Sequence, residues 1–221
     1  MAMNVYEAIA ARRTLRDFAS RPIDDWLLRR ILEAGMRAPT NNHLREWHFV
    51  RVDDPRQRER LVRGFLEERT EGELRELLDG WKMADERQYA MYLDAVPKQG
   101  SMILGAGALL VPCFGSRGSL LGEKKSLHEL NAFASMWAVL ENILVAAASE
   151  GIFGVTKIIS TPEETAHVRD TLAIPGDYEM PCYLALGYPR DDVVWLEQVP
   201  IDVDERIHVD RWSGRPRAGS R

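Results

Sequence analysis

The sequence has few of the features that mark several large classes of protein. Its two cysteines, Cys113 and Cys182, belong to no CxxC pair, so no disulfide framework is indicated and we expect two buried thiols. No apolar run reaches the ~18 to 20 residues that span a bilayer; the longest, over residues 132–148, is interrupted by Glu141 and Asn142. The first residues have no basic or apolar stretch typical of a signal peptide. We therefore expect a soluble, cytoplasmic protein.

The motifs and the charge exclude further classes. The sequence contains no P-loop, no GxSxG and no HExxH, and Gly105-Ala106-Gly107 lacks the third glycine of a dinucleotide fingerprint. Of five histidines, only His43 and His48 are close in sequence, and their spacing of five suits neither a helical pair nor one strand face, so we predict no metal site. The chain has 29 basic and 34 acidic residues, a formal net charge of -5, which argues against a nucleic-acid binder.

The length and the order of predicted elements indicate one α+β domain. The chain has 221 residues, of which 45% are hydrophobic and 29% charged, an ordinary globular composition. The apolar periodicities predict about five or six helices and about four or five strands. Their order is helix, helix, strand, helices, strand, helix, strand, helix, strand, which favours an α+β fold over regular βαβ units. We therefore treat residues 1–221 as a single domain.

Caps, prolines and glycines predict most of the boundaries. A first helix begins after Asn4 and ends near residues 12–14. A second helix follows Asp24 or Asp25 and ends before Pro39, because the residue before proline disfavours the helical conformation. The other predicted elements are strands over residues 47–52, 108–114, 155–159 and 180–186, and helices after Pro55, over residues 127–149 and after Thr161.

Three regions carry more specific predictions. Pro112 has no backbone N–H, so we predict that the strand over residues 108–114 lies at a sheet edge or contains a bulge. The helix over residues 127–149 is apolar on nearly all sides, as is typical of a central helix or of one at a subunit interface. Residues 67–98 are highly charged and predict one or two exposed helices, which form either a lid or a plain amphipathic surface.

Two polar segments are candidate binding sites. Residues 12–16, Arg-Arg-Thr-Leu-Arg, contain three guanidinium groups and one hydroxyl, which suit a phosphate and nearby hydroxyls. Arginines at a helix end also complement the helix dipole, so a solvated helix end explains the segment equally well. Residues 38–47, Ala-Pro-Thr-Asn-Asn-His-Leu-Arg-Glu-Trp, form a polar loop between a helix and a strand. Such a loop either holds a ligand or caps helices.

Together, these segments resemble the nitroreductase family of flavoproteins. That family has Arg-Arg-Ser-x-Arg/Lys at the end of its first helix and Ala-Pro-Ser-x-x-Asn-x-Gln-Pro-Trp before a strand. Here the first motif stands at residues 12–18, and Trp47 follows Pro39 by eight residues, as in the family. Residues 28–34 have the family's Leu-x-x-Ile-Leu-x-Ala form, and Tyr-Leu-Ala-Leu-Gly-Tyr-Pro at 183–189 is similar to its late strand. The resemblance covers most of the chain except about residues 67–98.

The resemblance implies a nitroreductase-like α+β fold, with a central mixed or antiparallel sheet flanked by helices, in an intertwined homodimer. It implies one FMN at each of two dimer-interface sites, and a C-terminal arm over about residues 192–221 that wraps the partner subunit. It also assigns contacts to FMN: Arg12, Arg13, Thr14 and Arg16 to the phosphate, the ribityl chain and one edge of the ring; Pro39, Thr40, Asn41 and His43 from the other subunit; and Thr156, Lys157 and Ile158 along the flavin, with a backbone N–H facing its reactive nitrogen.

The sequence departs from the family pattern at three places. His43 stands where the family has asparagine, which would make a flavin contact sensitive to pH. Arg45-Glu46 replaces Gln-Pro. A late basic residue that contacts the phosphate in the family has no clear match, since Pro200 and Ile201 stand near its place. The substitutes that the sequence offers are Arg206, Arg211, Arg215 and Arg217.

The function implied by the resemblance is an FMN-dependent oxidoreductase. It would pass hydride from NADH or NADPH through the flavin to a small organic acceptor, such as a nitroaromatic, a quinone, an enone or another flavin, by a ping-pong mechanism. This chemistry requires no side-chain acid or base, so we name no catalytic residue. Two alternatives stay open within the family, a flavin- or ligand-binding protein without nicotinamide turnover and a dehalogenase or flavin-modifying enzyme. A purely structural module is the third.

Overall fold

The computed structural model describes most of the chain, and its elements follow one another closely. The described residues are 3–66, 69–83, 85–116, 120–121, 126–127, 130–195 and 201–212. The α-helices are α1 (Val5–Ala11), α2 (Asp25–Gly35), α3 (Pro55–Arg63), α4 (Glu71–Gly80), α5 (Glu86–Ala95), α6 (Gln99–Leu104), α7 (Asn131–Ser149) and α8 (Pro162–Leu172). The strands are β1 (Trp47–Arg51), β2 (Ala108–Gly115), β3 (Phe153–Ile158), β4 (Tyr178–Glu179) and β5 (Cys182–Gly187). The sequence prediction of five or six helices is therefore too low.

Several helix starts confirm the predicted caps. The Asn4 side chain accepts from the N–H groups of Tyr6 and Glu7, and the Glu7 carboxylate accepts from the Asn4 N–H. Thr161 caps α8 by accepting from the Glu164 N–H. Each of these bonds satisfies a donor that the first helical turn leaves unpaired. Local sequence therefore predicted the caps of α1 and α8, whereas Asp24, which precedes α2, makes no side-chain capping bond.

The sheet is antiparallel throughout its described pairs. Its order is β1-β2-β5-β3, and β4 pairs with the end of β2. Of the two alternatives predicted for the strand that contains Pro112, a sheet edge or a bulge, the edge is wrong, because β2 has strand neighbours on both sides. Pro112 is tolerated there because it lies between the β5 pairing, which ends at Leu110, and the β4 pairing, which begins at Phe114. It pairs only with Phe49 of β1.

Helices cover both faces of the sheet. The side chains of β5 alternate: Leu184 packs with α2 and α7, whereas Tyr183 packs on the opposite side with α3, α6 and α8. Both side chains are fully buried. Because successive side chains of a strand point to opposite faces, β5 contributes to an apolar core on each face of the sheet. This arrangement agrees with the α+β class and with helices flanking a central sheet.

The long apolar helix α7 lies at the centre of one of these cores. It begins at Asn131 rather than at residue 127, since Leu127 lies in a turn. Among the described residues, α7 is the one helix long and apolar enough to cross a membrane by length and composition. However, α7 packs on α1, α2 and the sheet, and the core helix of a soluble protein satisfies the same criteria. Trp137 and Leu144 remain partly exposed on it.

The charged region over residues 67–98 contains α4 and α5, as predicted. Thr70 and Asp85 cap the two helices with side-chain hydrogen bonds to backbone N–H groups. The Trp81 and Tyr92 rings meet edge to face, with centroids 5.3 Å apart. The two helices pack on each other, so this region is a helical hairpin rather than an irregular loop.

Both cysteines are free and buried, which confirms the expectation for them. Burial raises the pKa of the Cys113 thiol to about 12. At pH 8 a thiol of that pKa has a thiolate fraction on the order of 10⁻⁴, whereas an exposed thiol has roughly a quarter. We expect a disulfide reagent at pH 8 to label neither cysteine in the native protein and both in denaturant. Rapid native labelling would contradict this burial.

Candidate functional site

The arginine segment at residues 12–16 lies beside the edge strand β3. Thr14 forms a parallel bridge with Gly154, and the Leu15 N–H donates to the Gly154 carbonyl at 3.2 Å. The Leu15 side chain is buried and anchors the segment in the core. β3 is the last strand of the described sheet, and the bridge to Thr14 lies on the side of β3 that faces away from β5. The segment therefore places its polar side chains next to backbone of β3.

A cavity of about 330 Å³ opens where the segment, β3 and α7 meet. The segment contributes Arg12, Thr14 and Arg16 to it, and β3 contributes Thr156. Gly154 and Val155 of β3 also line it, and α7 contributes Trp137, Leu140, Glu141 and Leu144. The cavity thus has guanidinium and hydroxyl groups beside an apolar wall. A flat aromatic ring that carries a phosphate would match both parts.

The two cavity arginines differ in their surroundings. Arg12 lies 3.5 Å from the Glu141 carboxylate in a partly exposed pair. Arg16 is partly buried, and burial lowers the pKa of its guanidinium although Asp94, Tyr92 and Asp17 oppose the shift. A desolvated guanidinium binds an anion more strongly than an exposed one does. Arg16 is therefore the stronger candidate for an anionic group.

Gly154 allows the close approach of β3, β5 and the arginine segment. A Cβ atom at this position would lie 2.5 Å from Leu186 Cδ2 and 2.8 Å from the Ala185 carbonyl oxygen. The second contact is with backbone, which cannot move aside as a side chain can. A glycine here therefore keeps the cavity wall and its bridge to Thr14 in place.

Three residues that the resemblance assigns to the site have side chains elsewhere. The Arg13 guanidinium lies over the Trp195 ring, 5.9 Å from its centroid. Lys157 follows Thr156 on the strand and therefore points to the opposite face of the sheet. There its Nζ lies 2.5 Å from the Glu164 carboxylate and 4.0 Å from the Phe65 ring centroid. Ile158 is half exposed and does not line the cavity.

The loop after α2 lies apart from this cavity within the single chain. A short 3-10 turn spans Asn41–His43, and Asn42 and His43 have φ values of 49° and 57°. The Arg45 N–H donates to Thr40 Oγ1 at 3.2 Å. Thr40 borders a much smaller hollow beside β1 and β2, and Pro39 and His43 are exposed. The resemblance assigns this loop to the other subunit's FMN, and that assignment stays a prediction.

Sequence reasoning missed the α7 side of the cavity. Trp137, Leu140 and Leu144 were predicted only as parts of an apolar helix, with no role in a site. The available signal was their spacing of three and four residues, which puts all three on one helix face. Of the proposed late basic residues, Arg206 and Arg211 are exposed, whereas Arg215, Arg217 and the residue Pro200 lie outside the described part of the chain.

The comparisons with known proteins agree with this architecture. A family model described as Nitroreductase family matches residues 9–188. An NADH dehydrogenase of Thermus thermophilus is 27% identical over 208 residues, covering 88% of this chain and 91% of the relative. A 5,6-dimethylbenzimidazole synthase of Rhodospirillum rubrum is 27% identical over 192 residues, covering 82% and 80%. The NADPH:FMN oxidoreductase of Vibrio harveyi, solved with NAD+, has a TM-score of 0.69 at 20% identity, covering 97% of this chain and 80% of that structure.

These matches show the fold of the chain and the family to which it belongs. The fold is nitroreductase-like α+β, and two of the three named relatives are an NADH dehydrogenase and an NADPH:FMN oxidoreductase. The chain belongs to the nitroreductase family, because the family model covers most of its length. It is therefore an oxidoreductase, and the resemblance seen in its motifs is confirmed.

Proposed function

We propose that the protein is an FMN-dependent oxidoreductase that uses NADH or NADPH to reduce a small organic acceptor. The observation that carries this proposal is the cavity in which Arg12, Thr14, Arg16 and Thr156 face the apolar wall of α7. When bound, FMN would accept hydride from the nicotinamide and pass electrons to the acceptor, which enters the same pocket after the nicotinamide leaves. Nitroaromatics, quinones and enones are the acceptor classes that we expect.

The residues present fit FMN at this cavity. The guanidinium groups of Arg12 and Arg16 supply charge-assisted donors for the phosphate, and the Thr14 hydroxyl suits the ribityl chain. Trp137, Leu140 and Leu144 supply an apolar surface for the ring. Because β3 is an edge strand of the described sheet and pairs with β5 on one side, the backbone of Thr156 on its other side would be available to the ring. We assign no side-chain acid or base to the reaction.

A homodimer with FMN at its interface completes the proposed site. In one chain, the loop over residues 39–43 does not reach the cavity, as expected if the partner supplies it. Large apolar side chains are exposed on α1 at Val5, Tyr6 and Ile9, and in the tail at Val209 and Trp212. An exposed apolar surface of this extent is typical of a subunit interface. It supports pairing of two copies through α1 and the C-terminal arm.

A flavin-modifying enzyme is the second candidate. The similarity to 5,6-dimethylbenzimidazole synthase has the same identity, 27%, as the similarity to NADH dehydrogenase. The two functions differ in what happens to the flavin, because an oxidoreductase regenerates its oxidised flavin and a flavin-modifying enzyme consumes it. A dehalogenase would regenerate it while releasing halide.

An absorbance experiment tests the proposal. We expect purified protein to be yellow or to take up added FMN, and to bleach when NADH or NADPH is added without oxygen. Readmitted oxygen or a quinone should restore the flavin spectrum quantitatively. Irreversible loss of that spectrum would favour the flavin-modifying enzyme, and a flavin that neither nicotinamide bleaches would favour a binding protein. A colourless protein that does not take up FMN would overturn the proposed cofactor.

A further inference from the structure

The chain that leaves β5 returns to the arginine segment. The Ala19 N–H donates to the Tyr188 carbonyl at 2.9 Å, and the Arg190 N–H donates to the Asp17 carbonyl at 3.3 Å. An antiparallel bridge lies between these two hydrogen bonds. After a turn over residues 190–193, the chain reaches the arginine segment itself.

Trp195 lies where this chain meets the arginine segment. Its ring meets the Phe153 ring edge to face, with centroids 4.9 Å apart, and the Arg13 guanidinium lies 5.9 Å from the centroid of the Trp195 ring. Phe153 is the first residue of β3 and packs against the core. A guanidinium over an aromatic face within about 6 Å is attracted by the ring. Trp195 therefore joins the Arg13 side chain to the start of β3.

Arg12 is the cavity arginine that needs such support. Leu15 is buried and Thr14 is bridged to Gly154, so the second half of the arginine segment is fixed by the fold. Arg12 precedes these anchors, and its pair with Glu141 is partly exposed, which makes the pair weak. The direction of Arg12 therefore depends on how the backbone beside it is held.

Arg13 provides that hold. Successive side chains of an extended chain point to opposite sides, and Arg12 lines the cavity whereas Arg13 does not. While Arg13 stays on the Trp195 ring, the backbone between the two arginines cannot turn without breaking this contact. A turn would take Arg12 away from the side that it shares with Thr14 and Arg16.

We propose that Trp195 is a positioning residue that holds Arg13 away from the cavity and thereby keeps Arg12 directed at the FMN phosphate. This inference rests on the proposed function, because it places the phosphate at the arginine segment. It gives the beginning of the C-terminal arm a role in the cofactor site of its own chain. Trp195 does not line the cavity and is not required to touch FMN.

The test compares two substitutions at Trp195. Trp195→Phe keeps an aromatic face for Arg13 and should bind FMN nearly as the wild type does. Trp195→Leu keeps an apolar contact with Phe153 but offers no ring to the guanidinium, so it should weaken FMN binding about two- to fivefold. Trp26→Leu removes an exposed tryptophan of α2 that does not line the cavity, and it should leave the affinity unchanged. Flavin fluorescence titration gives each dissociation constant.

Riboflavin, which lacks the phosphate, separates the positioning of Arg12 from a general loss of structure. Trp195→Leu should lower the affinity for riboflavin much less than the affinity for FMN, and an equal loss for both ligands would overturn the proposal. Unchanged FMN affinity of Trp195→Leu would also overturn it. Trp195 is 40% exposed, so its replacement should not unfold the core; Trp195→Met, also without a ring, serves if Trp195→Leu does not fold.

A double variant tests whether Arg13 acts through Trp195. Arg13→Ala should reproduce the loss of FMN affinity in the wild type and add nothing to it in Trp195→Leu. A further loss in the double variant would mean that Arg13 contacts FMN directly, and it would contradict the proposal. A wild-type protein that does not bind FMN would instead refute the proposed function, and this inference with it.

Discussion

Replacing Arg12 and Arg16 together by alanine is expected to weaken FMN binding by at least about 100-fold. Each guanidinium that binds an ionised phosphate contributes roughly 1.5–3 kcal/mol, so two of them account for at least two decades of affinity. Both arginines line the cavity, and neither belongs to the apolar core. The variant should therefore keep its fold. Titration of apoprotein with FMN, followed by flavin fluorescence, gives the dissociation constant.

A charge-matched variant controls for the loss of two positive charges. Arg29→Ala/Arg56→Ala removes two exposed arginines, of α2 and α3, that do not line the cavity. Its FMN affinity should stay near that of the wild type. Equal affinities of the two double variants would mean that the arginine segment does not bind the phosphate. In that case the solvated helix end, which the sequence left open, would be the better explanation of the segment.

The pattern of residues predicted most strands and several helix starts, because caps and short apolar runs are local properties, but it predicted too few helices. The caps at Asn4 and Thr161 act within one helical turn, and β5 is a short run of six residues that are all buried, as expected of a strand covered on both faces. The place of β2 in the sheet, by contrast, could not be predicted from local sequence. Pro112 indicates an edge only if both neighbours pair along the whole strand, whereas here β5 and β4 leave a gap opposite it.

The direction of a side chain was harder to predict than the place of its backbone. The motif at residues 12–16 was expected to act as a unit, but its chain runs extended past Gly154, so neighbouring side chains diverge. Arg12, Thr14 and Arg16 therefore reach the cavity, while Leu15 enters the core and Arg13 lies against Trp195. The spacing of two residues between Arg12, Thr14 and Arg16 is the period of an extended chain, and it indicates that these three side chains share one side. The spacing of Trp137, Leu140 and Leu144 puts them on one face of α7, but tertiary packing decides that this face borders the cavity.

The buried pair of Lys157 and Glu164 has the largest expected effect on stability. Their side chains are only 9% and 4% exposed, and Lys157 also lies over the Phe65 ring. The pair joins β3 to the first turn of α8, where Glu164 Oε2 also accepts from the Ser160 N–H at 3.2 Å. Removing one partner of a buried pair leaves an uncompensated charge in a low-dielectric place. We expect the loss to lower the free energy of unfolding and not the FMN affinity, because the Lys157 side chain lies on the opposite face of β3 from the cavity.

Lys157→Met is accordingly expected to lower the free energy of unfolding by about 3 kcal/mol. In Lys157→Met/Glu164→Gln no charge remains, and the glutamine carbonyl can still accept from the Ser160 N–H, so part of the loss should be recovered. Urea unfolding followed by tryptophan fluorescence measures the free energy of unfolding of both variants, and an unchanged m-value would show that the same surface is exposed on unfolding.

A double variant less stable than Lys157→Met would contradict the argument from unpaired charge. The double variant should also keep its FMN affinity, since the Lys157 side chain contacts Glu164 and does not line the cavity; a large loss would show that the lysine side chain itself contributes to the cofactor site.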